Sequence, residues 1–308
     1  MRTDLEAYSI DVLRTLCKDG CDIMDSGGKD SAVLVHLAIK SGIPIRVVHN
    51  LTTVDAPETV YYVRDKFKKL REQGIEAEIK KPQETMWQLI ERKCTPPTRL
   101  IRYCCAVLKE SYGVGKKIAT GVRWAESSNR KNNQGLVTIL NPTQEIKNKV
   151  DDVNFGSTIR GGVVILNLDN DETRETYEYC YRTRKALVNP IIDWTDSDVW
   201  EYIRHENIEL NPLYECGWQR VGCIGCPMAG KHNRQEEFRQ YPKYKAAYIK
   251  AFEKMLKRRE EKGLKKMRIW TDAEAVFRWW IEDNTDPNQI TLQEYFKDLN
   301  IREDLGFS

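Results

Sequence analysis

A single stretch near the start of the chain constrains the fold more than any other part of the sequence. The segment at 21–50 begins with a strand pattern, and the glycine-rich string Ser-Gly-Gly-Lys-Asp-Ser follows at 26–31. An amphipathic helix pattern then leads to a second strand pattern at the end of the segment. Strand, turn, helix and strand make a βαβ unit, which requires a parallel sheet. With a helix predicted near 57–73 and a strand near 75–80, the pattern predicts an α/β protein with a doubly wound parallel sheet.

The string at 26–31 is typical of a loop that binds phosphate. At the end of a first parallel strand, its backbone N–H groups and the dipole of the following helix face one anion site. Gly27 and Gly28 let the backbone approach the ligand closely, and Lys29 supplies positive charge. Asp30 can orient Mg²⁺ or the loop itself. We expect pyrophosphate to bind here, with two further hydroxyl donors, Ser26 and Ser31.

The cysteines predict a metal or cluster site. The chain has nine of them, and an odd number argues against a simple disulfide framework. Four form two close pairs, Cys104-Cys105 and Cys223-x-x-Cys226. Four thiolates can hold a [4Fe-4S] cluster or a structural zinc ion. Adjacent cysteines do not easily take two corners of one tetrahedron, which favours the cluster; plain buried thiols are the weaker alternative.

Charge is distributed unevenly along the chain. The 308 residues carry a net charge of +3, yet residues 230–269 hold 14 Lys/Arg against 5 Asp/Glu. This basic region has helical spacing of its apolar residues and favours a polyanionic partner, although a solvated helix face is an equally good interpretation. No apolar leader and no apolar run of roughly 18 residues is present, so we expect a cytoplasmic protein without membrane insertion.

The middle of the chain is less regular. Residues 131–170 carry Asn, Thr and Gly punctuation and one short apolar strand, and they predict an insertion or lid. A capping-box pattern at Thr195 and Asp198 predicts the start of another helix. The domain prediction is a nucleotide-binding domain over 1–230 that contains the insertion, followed by a helical and basic C-terminal region over 231–308.

Six motifs in order resemble the phosphoadenosine phosphosulfate (PAPS) reductase family, within the N-type ATP pyrophosphatases. The resemblance covers roughly residues 20–230 and implies the HUP-like adenine nucleotide alpha hydrolase fold, with ATP cleaved between its α and β phosphates. The motifs are SGGKDS at 26–31, VDAPET at 54–59, RYCCAVLKE at 102–110, TGVRWAESSNR at 120–130, NPIIDWTDSDVWEYI at 189–203 and NPLYECGWQRVGCIGCP at 211–227.

The resemblance also implies roles for individual residues. It assigns a [4Fe-4S] cluster, as in adenylylsulfate reductases, to Cys104, Cys105, Cys223 and Cys226. It places Lys109 near that cluster. Around the nucleotide it places Asp55, Glu58, Thr59, Gly121, Arg123, Glu126, Ser127 and Arg130. Arg123 also has a simpler interpretation as an ion-pair partner, but its place just after a strand end favours phosphate contact.

Two departures from the family pattern bear on function. Sulfonucleotide reductases use a cysteine in a C-terminal tail, whereas no cysteine follows Cys226 in this sequence. The loop at 26–31 is intact for ATP. Both features favour an ATP-dependent enzyme, with Lys29, Asp30, Lys109 and Arg123 as candidate catalytic residues. Resemblance to the sulfur-inserting members of the same superfamily implies that an acceptor oxygen is adenylated and that sulfur then displaces AMP. Cys94 is a candidate persulfide carrier.

Two alternatives remain open at this point. One is a reductase of PAPS or adenylylsulfate that uses a displaced thiol, such as Cys94 or Cys216, or a partner's thiol. The other is a regulator that binds nucleotide and senses redox state through the cluster without turnover. The partners expected are an adenine nucleotide, a nucleic-acid acceptor at the basic C-terminal region, and either a sulfur donor protein of the cysteine desulfurase kind or a thiol reductant.

Overall fold

The computed structural model describes residues 3–109, 115–151, 153–159, 161–166, 171–183 and 185–282. The chain forms two compact units, each assembled from separate stretches of sequence. The first unit comprises Met1–Leu51, Asp55–Lys81 and Tyr112–Gly222. The second unit comprises Thr52–Val54, Pro82–Ser111 and Cys223–Ser308.

The first unit contains an eight-stranded mixed sheet. Its strand order is β3-β2-β1-β4-β8-β5-β7-β6. The first five strands in this order are mutually parallel, and the remaining three pair antiparallel. The strands are β1 (Cys21–Met24), β2 (Ile45–Asn50), β3 (Glu76–Lys80), β4 (Ile118–Ala119), β5 (Val137–Leu140), β6 (Phe155–Ser157), β7 (Val163–Ile165) and β8 (Lys185–Val188).

Twelve α-helices lie within the described residues. Seven belong to the first unit and five, α4, α5 and α10 to α12, to the second. They are α1 (Thr3–Leu16), α2 (Lys29–Ser41), α3 (Pro57–Glu72), α4 (Met86–Lys93), α5 (Tyr103–Leu108), α6 (Ser128–Asn133), α7 (Gln144–Lys147), α8 (Asp171–Thr183), α9 (Asp196–His205), α10 (Lys231–Gln240), α11 (Pro242–Glu261) and α12 (Ala273–Glu282).

The core of the first unit joins the strands to the helices. Central strand residues such as Ile23, Val47 and Val188 are completely buried. They share one apolar cluster with residues of α1, α2, α3, α8 and α9. Helices need this burial because most helical stability in proteins comes from packing an apolar face rather than from intrinsic propensity.

The parallel strands fix where a ligand can bind. β1 ends at Met24, just before the loop at 26–31, and β4 ends at Ala119, just before residues 120–123. Ligands of open α/β sheets bind beyond the carboxyl ends of the strands. The topology therefore brings both segments to the same edge of the sheet.

The second unit has an aromatic core. Helix α4 begins with a capping box formed by Thr85 and Gln88. Its Trp87 ring lies edge-on to Tyr248 of α11, with centroids 4.8 Å apart, and Tyr248 also contacts Trp280 of α12 at 4.7 Å. Such pairs contribute about 0.5–1.5 kcal/mol beyond their buried area.

The α/β class, the parallel strands and the C-terminal helices agree with the sequence predictions. The capping box at Thr195 is present, and α3 starts and ends within a residue of its predicted bounds. The sheet itself is mixed rather than parallel throughout. Residues 131–170 supply β5, β6 and β7 to its antiparallel part. β7 corresponds to the one short apolar strand predicted there, whereas β5 and β6 were not predicted.

Some predictions concern residues beyond those described. The helical region predicted over 231–308 is described up to Glu282, as α10 to α12. The domain boundary at residue 230 stays a prediction. No helix among the described residues has both the length and the apolar character needed to cross a membrane.

Candidate functional site

The loop at 26–31 is shaped by its two glycines. Gly27 has φ +77°, and a Cβ there would lie 3.0 Å from the Thr59 side chain and 3.2 Å from that of Val63. A Cβ on Gly28 would lie 3.4 Å from the Tyr214 hydroxyl. Helix α2 begins immediately afterwards, at Lys29. The glycines thus let the backbone pass closely between α3 and residue 214. The loop then leads directly into the N-terminus of α2.

Asp25, which the sequence analysis did not single out, anchors this loop. Its completely buried carboxylate accepts hydrogen bonds from Gly27 N at 2.8 Å, Ser31 Oγ at 2.9 Å and Lys66 Nζ at 2.6 Å. Burial alone would raise the pKa of Asp25, but the Lys66 charge and these hydrogen bonds lower it below its ordinary value. The anchor is therefore ionised at neutral pH.

Two cations and two carboxylates form a network at the start of α2. Arg123, only 1% exposed, donates to Asp30 Oδ1 from Nε and to Asp196 Oδ1 from Nη2, both at 2.7 Å. Lys29 Nζ lies 3.1 Å from Asp30 and 3.5 Å from Asp196. The Arg123 hydrogen bond is the largest cause of a lowered pKa at Asp196. The charges of these four side chains balance one another.

Residues missed in sequence complete the loop's surroundings. Tyr214 Oη accepts a hydrogen bond from Lys29 N at 2.9 Å, and burial raises the pKa of Tyr214 to about 12. Asn211 Nδ2 donates to Gly27 O at 3.3 Å and to Thr59 Oγ1 at 2.9 Å. Both residues belong to the motif at 211–227, whose sequence gave no indication of these partners.

The structure brings some of the predicted nucleotide residues to the loop. Gly121 lies against the start of α2, because a Cβ there would be 2.9 Å from Asp30 O. Ser26 and Ser31 lie within the loop itself, with their Oγ atoms 3.2 Å apart. Thr59 reaches it through Asn211.

Other predicted nucleotide residues have local partners in this structure. Arg130 Nε lies 3.1 Å from Glu126 Oε2, and Ser127 Oγ accepts from Arg130 N as the N-cap of α6. Asp55 lies just before α3, and Glu58 lies in its first turn. Roles for these residues in nucleotide binding stay predictions.

The second unit holds the four paired cysteines. Cys104 and Cys105 lie in α5, and Cys223 and Cys226 lie in the loop before α10. A hydrogen bond from Cys105 and burial raise the pKa of the Cys104 thiol, as do the charges of Cys105, Cys223 and Cys226. After burial, the charges of Cys223, Cys104 and Cys226 likewise raise the pKa of Tyr248. All four thiols thus belong to one unit, and the two pairs are near enough for the charge of one to raise the pKa of the other.

The thiols do not have the arrangement of ligands around a single ion. Within the described residues, no three or more His, Cys, Asp or Glu side chains form a group that could hold a metal ion. A mononuclear zinc site needs four ligands within about 2.3 Å of one centre. In a [4Fe-4S] cluster each cysteine binds a different iron, so the sulfurs lie further apart. Four thiols are a donor set that a [4Fe-4S] cluster and a zinc ion both use, and the adjacent positions of Cys104 and Cys105 in α5 favour the cluster.

Cys94 and Lys109, also in the second unit, differ in exposure. Cys94 is 4% exposed and ends α4 with φ +53°, and its Sγ lies 3.5 Å from Glu91 O. Its carbonyl accepts a hydrogen bond from Arg259 Nη1 at 2.7 Å. Lys109 is exposed at the end of α5, and its backbone N donates to Cys105 O at 3.0 Å. A carrier role for Cys94 and a catalytic role for Lys109 stay predictions.

Residues 22–229 match the family described as the phosphoadenosine phosphosulfate reductase domain. The chain belongs to this family. The match to the PAPS reductase domain covers the loop at 26–31 and both cysteine pairs, and it ends before α10 begins. The family resemblance seen in the sequence is confirmed.

Relatives of this PAPS reductase family chain are distant. An uncharacterized protein from Methanocaldococcus jannaschii is 25% identical over 231 residues, 73% of this chain and 47% of that protein. Sulfate adenylyltransferase subunit 2 from Hyphomonas neptunium is 27% identical over 224 residues, 68% of this chain and 60% of that protein. A U34-tRNA thiolase from Methanococcus maripaludis, solved with its [4Fe-4S] cluster, gives a TM-score of 0.43 and 11% identity, with 87% of this chain and 82% of that chain covered. The chain spans half or less of the two Methanocaldococcus jannaschii proteins it matches, 47% and 38%.

Proposed function

We propose that this chain is an ATP-dependent adenylating enzyme that serves sulfur transfer to a nucleic-acid or nucleotide acceptor. The observation that carries the proposal is the geometry of the loop at 26–31. Gly27 and Gly28 open the backbone onto the N-terminus of α2, and Lys29 stands at its first position. A helix N-terminus with a lysine at its first position is suited to a polyphosphate.

In the charge network at the start of α2, Lys29 can exchange its carboxylate partners for a phosphate group of the nucleotide. Lys29 pairs with Asp30 and Asp196, and Asp196 is 64% exposed. A triphosphate that takes Lys29 as its partner leaves the two carboxylates free to face Mg²⁺. Asp30 and Asp196 are thus the residues that would hold the ion, and Mg²⁺ would neutralise phosphate charge there. Arg123 keeps both carboxylates in place.

The reaction follows from this placement. An acceptor oxygen attacks the α-phosphorus of ATP, the bond to the bridging oxygen of the β-phosphate breaks, and pyrophosphate leaves. Lys29 and the α2 N-terminus stabilise the negative charge that develops on pyrophosphate. A sulfur nucleophile then displaces AMP from the adenylated acceptor. The relationship to a sulfate adenylyltransferase subunit supports adenylyl transfer.

A [4Fe-4S] cluster is the second part of the proposal. Cys104, Cys105, Cys223 and Cys226 would hold it, and their grouping in one unit supports this assignment. Such a cluster would supply electron-transfer chemistry.

The acceptor proposal rests on charge. Helices α10 and α11 lie in the basic region 230–269, where exposed side chains include Lys243, Lys250 and Lys254. Lysines on one helical segment suit a phosphate backbone. The sulfur would come from a donor protein of the cysteine desulfurase kind.

Calorimetry on anaerobically purified protein tests which nucleotide the chain binds. Mg²⁺-ATP, PAPS and adenylylsulfate are titrated separately into the wild-type chain, and we expect clear preference for Mg²⁺-ATP. Lys29→Met should weaken ATP binding by about 10-fold or more, because it removes a charge-assisted contact of roughly 1.5–3 kcal/mol. Lys68→Met, at an exposed lysine of α3 paired with Glu72, is the matched control. Preference for either sulfonucleotide would contradict the proposal.

A second candidate function, sulfonucleotide reduction, is favoured by one observation. Cys216 is exposed two residues after Tyr214, whose hydroxyl contacts the loop at Lys29. An accessible thiol therefore belongs to the segment that supports the nucleotide loop. Sulfite release from PAPS or adenylylsulfate with a thiol donor, abolished by Cys216→Ser, would establish this activity.

A further inference from the structure

The loop between Cys223 and Cys226 is enclosed by aromatic rings of the C-terminal helices. Gly225 has φ +72°, and a Cβ there would lie 2.6 Å from the Phe238 ring, 2.9 Å from Trp280 and 3.2 Å from Tyr248. These rings also contact one another, with the Phe238 and Tyr248 centroids 5.6 Å apart. Only glycine fits this position, both for its backbone conformation and for the space available.

Two buried polar side chains hold the backbone of the same loop. Glu237 Oε2 accepts a hydrogen bond from Gly225 N at 2.6 Å, and Tyr248 Oη donates to Ile224 O at 2.9 Å. Glu237 is 7% exposed and Tyr248 is 1% exposed. A hydrogen bond to a buried carboxylate is among the stronger ones in proteins. The peptide bond between Ile224 and Gly225 therefore has both its N–H and its C=O held by buried side chains.

The helices that supply these groups are themselves tied down. Arg234 of α10 is completely buried and donates to Trp280 O at 2.8 Å and to Ile281 O at 3.0 Å. Trp280 Nε1 donates to Pro97 O at 2.6 Å, within the same unit. Every group described here on α10, α11 and α12 lies beyond residue 229, where the family match ends. The support of the cysteine loop is thus supplied by the part of the chain that the family domain does not include.

We propose that Glu237 and Tyr248 are positioning residues for the iron–sulfur cluster, and that α10 to α12 form a clamp that holds the Cys223–Cys226 loop ready to bind it. The inference rests on the proposed function, which assigns the cluster to the four cysteines. Groups that orient metal ligands through hydrogen bonds typically change metal affinity 10–100-fold when they are removed. A loop fixed beforehand also loses less conformational freedom when it binds.

The test compares full-length variants after anaerobic reconstitution with Fe²⁺ and sulfide. Iron and acid-labile sulfide per chain are measured, and then the rate at which a chelator removes the iron. We expect Glu237→Ala to release iron at least 10-fold faster than wild type, and Tyr248→Phe to release it faster as well. Glu237→Gln keeps an acceptor oxygen and should restore much of the retention. Glu236→Ala, at the neighbouring residue that pairs with Arg239, is the matched control.

Three results separate the possible failures. If Glu237→Ala and Tyr248→Phe both retain iron as well as wild type does, the clamp proposal is wrong and the proposed cluster stands. A wild-type chain that takes up no iron would overturn both the proposed cluster and the clamp. If Glu237→Ala does not fold, as judged by circular dichroism of the iron-free chain, Tyr248→Phe decides, since it removes a single hydroxyl.

Discussion

Asp25 is the residue on which the shape of the nucleotide loop depends most directly. It is buried, it is charged, and one of its oxygens accepts from both Gly27 N and Ser31 Oγ while the other faces Lys66. Buried charges persist in proteins only when they are paired and hydrogen-bonded. Asp25 satisfies this condition through Lys66, which lies 41 residues later in the sequence on α3.

We expect Lys66→Met to destabilise the first unit. The substitution leaves the Asp25 carboxylate buried without its countercharge, and breaking a buried pair costs about 3–5 kcal/mol. Lys66 is partly exposed, so the lower end of this range applies. Urea unfolding, followed by circular dichroism, measures the loss. Lys66→Met combined with Asp25→Asn should recover part of it; a double variant that shows the full sum of both losses would contradict the pairing.

The lowered pKa of Asp25 predicts a pH dependence of stability. A carboxyl whose pKa is lower in the folded chain stabilises the fold fully above its unfolded pKa, about 3.9, and loses this contribution as the pH falls through the folded pKa. The free-energy difference between wild type and Asp25→Asn should therefore be constant from pH 7 to 5 and shrink below about pH 4. Unfolding at several pH values measures it, and a gap that widens in acid would contradict the assignment.

Sequence patterns predict a functional role mainly for residues that lie near each other in the sequence. The loop at 26–31 and the two cysteine pairs are local patterns with one chemical meaning. Asn211 and Tyr214 act through partners nearly two hundred residues away, and Asp25 depends on Lys66, 41 residues away, as well as on its local partners in the loop. No spacing in the sequence indicates the distant partners. The place of Arg123 after a strand end predicts phosphate contact, but its partners here are two carboxylates and the Trp194 carbonyl.

At the scale of elements, the junction between β4 and α2 decides how closely the sheet edge approaches the loop. Residues 120–123 leave β4 and pass the first turn of α2 at Gly121, where a Cβ would lie 2.9 Å from Asp30 C and O. The neighbours are backbone atoms, which cannot rotate away. Long elements such as α2 and α3 follow from their periodicity, whereas β4, with two residues, depends on its neighbours in the sheet.

Gly121→Ala should therefore weaken both folding and ATP binding. Forcing a methyl group into a closely packed site typically costs about 1–3 kcal/mol. The loop must shift to admit it, so we expect ATP affinity to fall as well. Gly222→Ala is the matched control, since a Cβ there meets nothing within 4 Å. Thermal unfolding and calorimetry measure the two effects; equal behaviour of both variants would show that the junction tolerates the added group.

At the scale of the whole molecule, charge is concentrated in one stretch of the chain. The net charge is +3, but residues 230–269 alone carry an excess of nine positive charges. Many of these lysines are exposed on α10 and α11. Such a surface can bind a polyanion although the protein as a whole is nearly neutral.

Binding of single-stranded nucleic acid should therefore weaken steeply with salt. Each phosphate contact contributes about 0.7 to the slope of log K against log salt concentration for single strands. Lys250→Glu with Lys254→Glu should reduce that slope by about 1.4 or more, by the same relation. Fluorescence anisotropy with a labelled oligonucleotide measures it, and Lys68→Glu with Lys81→Glu controls for net charge alone. An unchanged slope in the α11 variant would place any nucleic-acid contact elsewhere.

The discontinuous make-up of the second unit sets an order of events during synthesis. Cys105 leaves the ribosome 175 residues before Trp280, whose ring helps to enclose the other cysteine pair. At translation rates of roughly 5–20 residues per second, this interval lasts about 10–35 s. During that time the first thiol pair and the apolar face of α4 have no partners from α10 to α12. We therefore expect assembly of the proposed iron–sulfur cluster to wait until α10 to α12 have been synthesised.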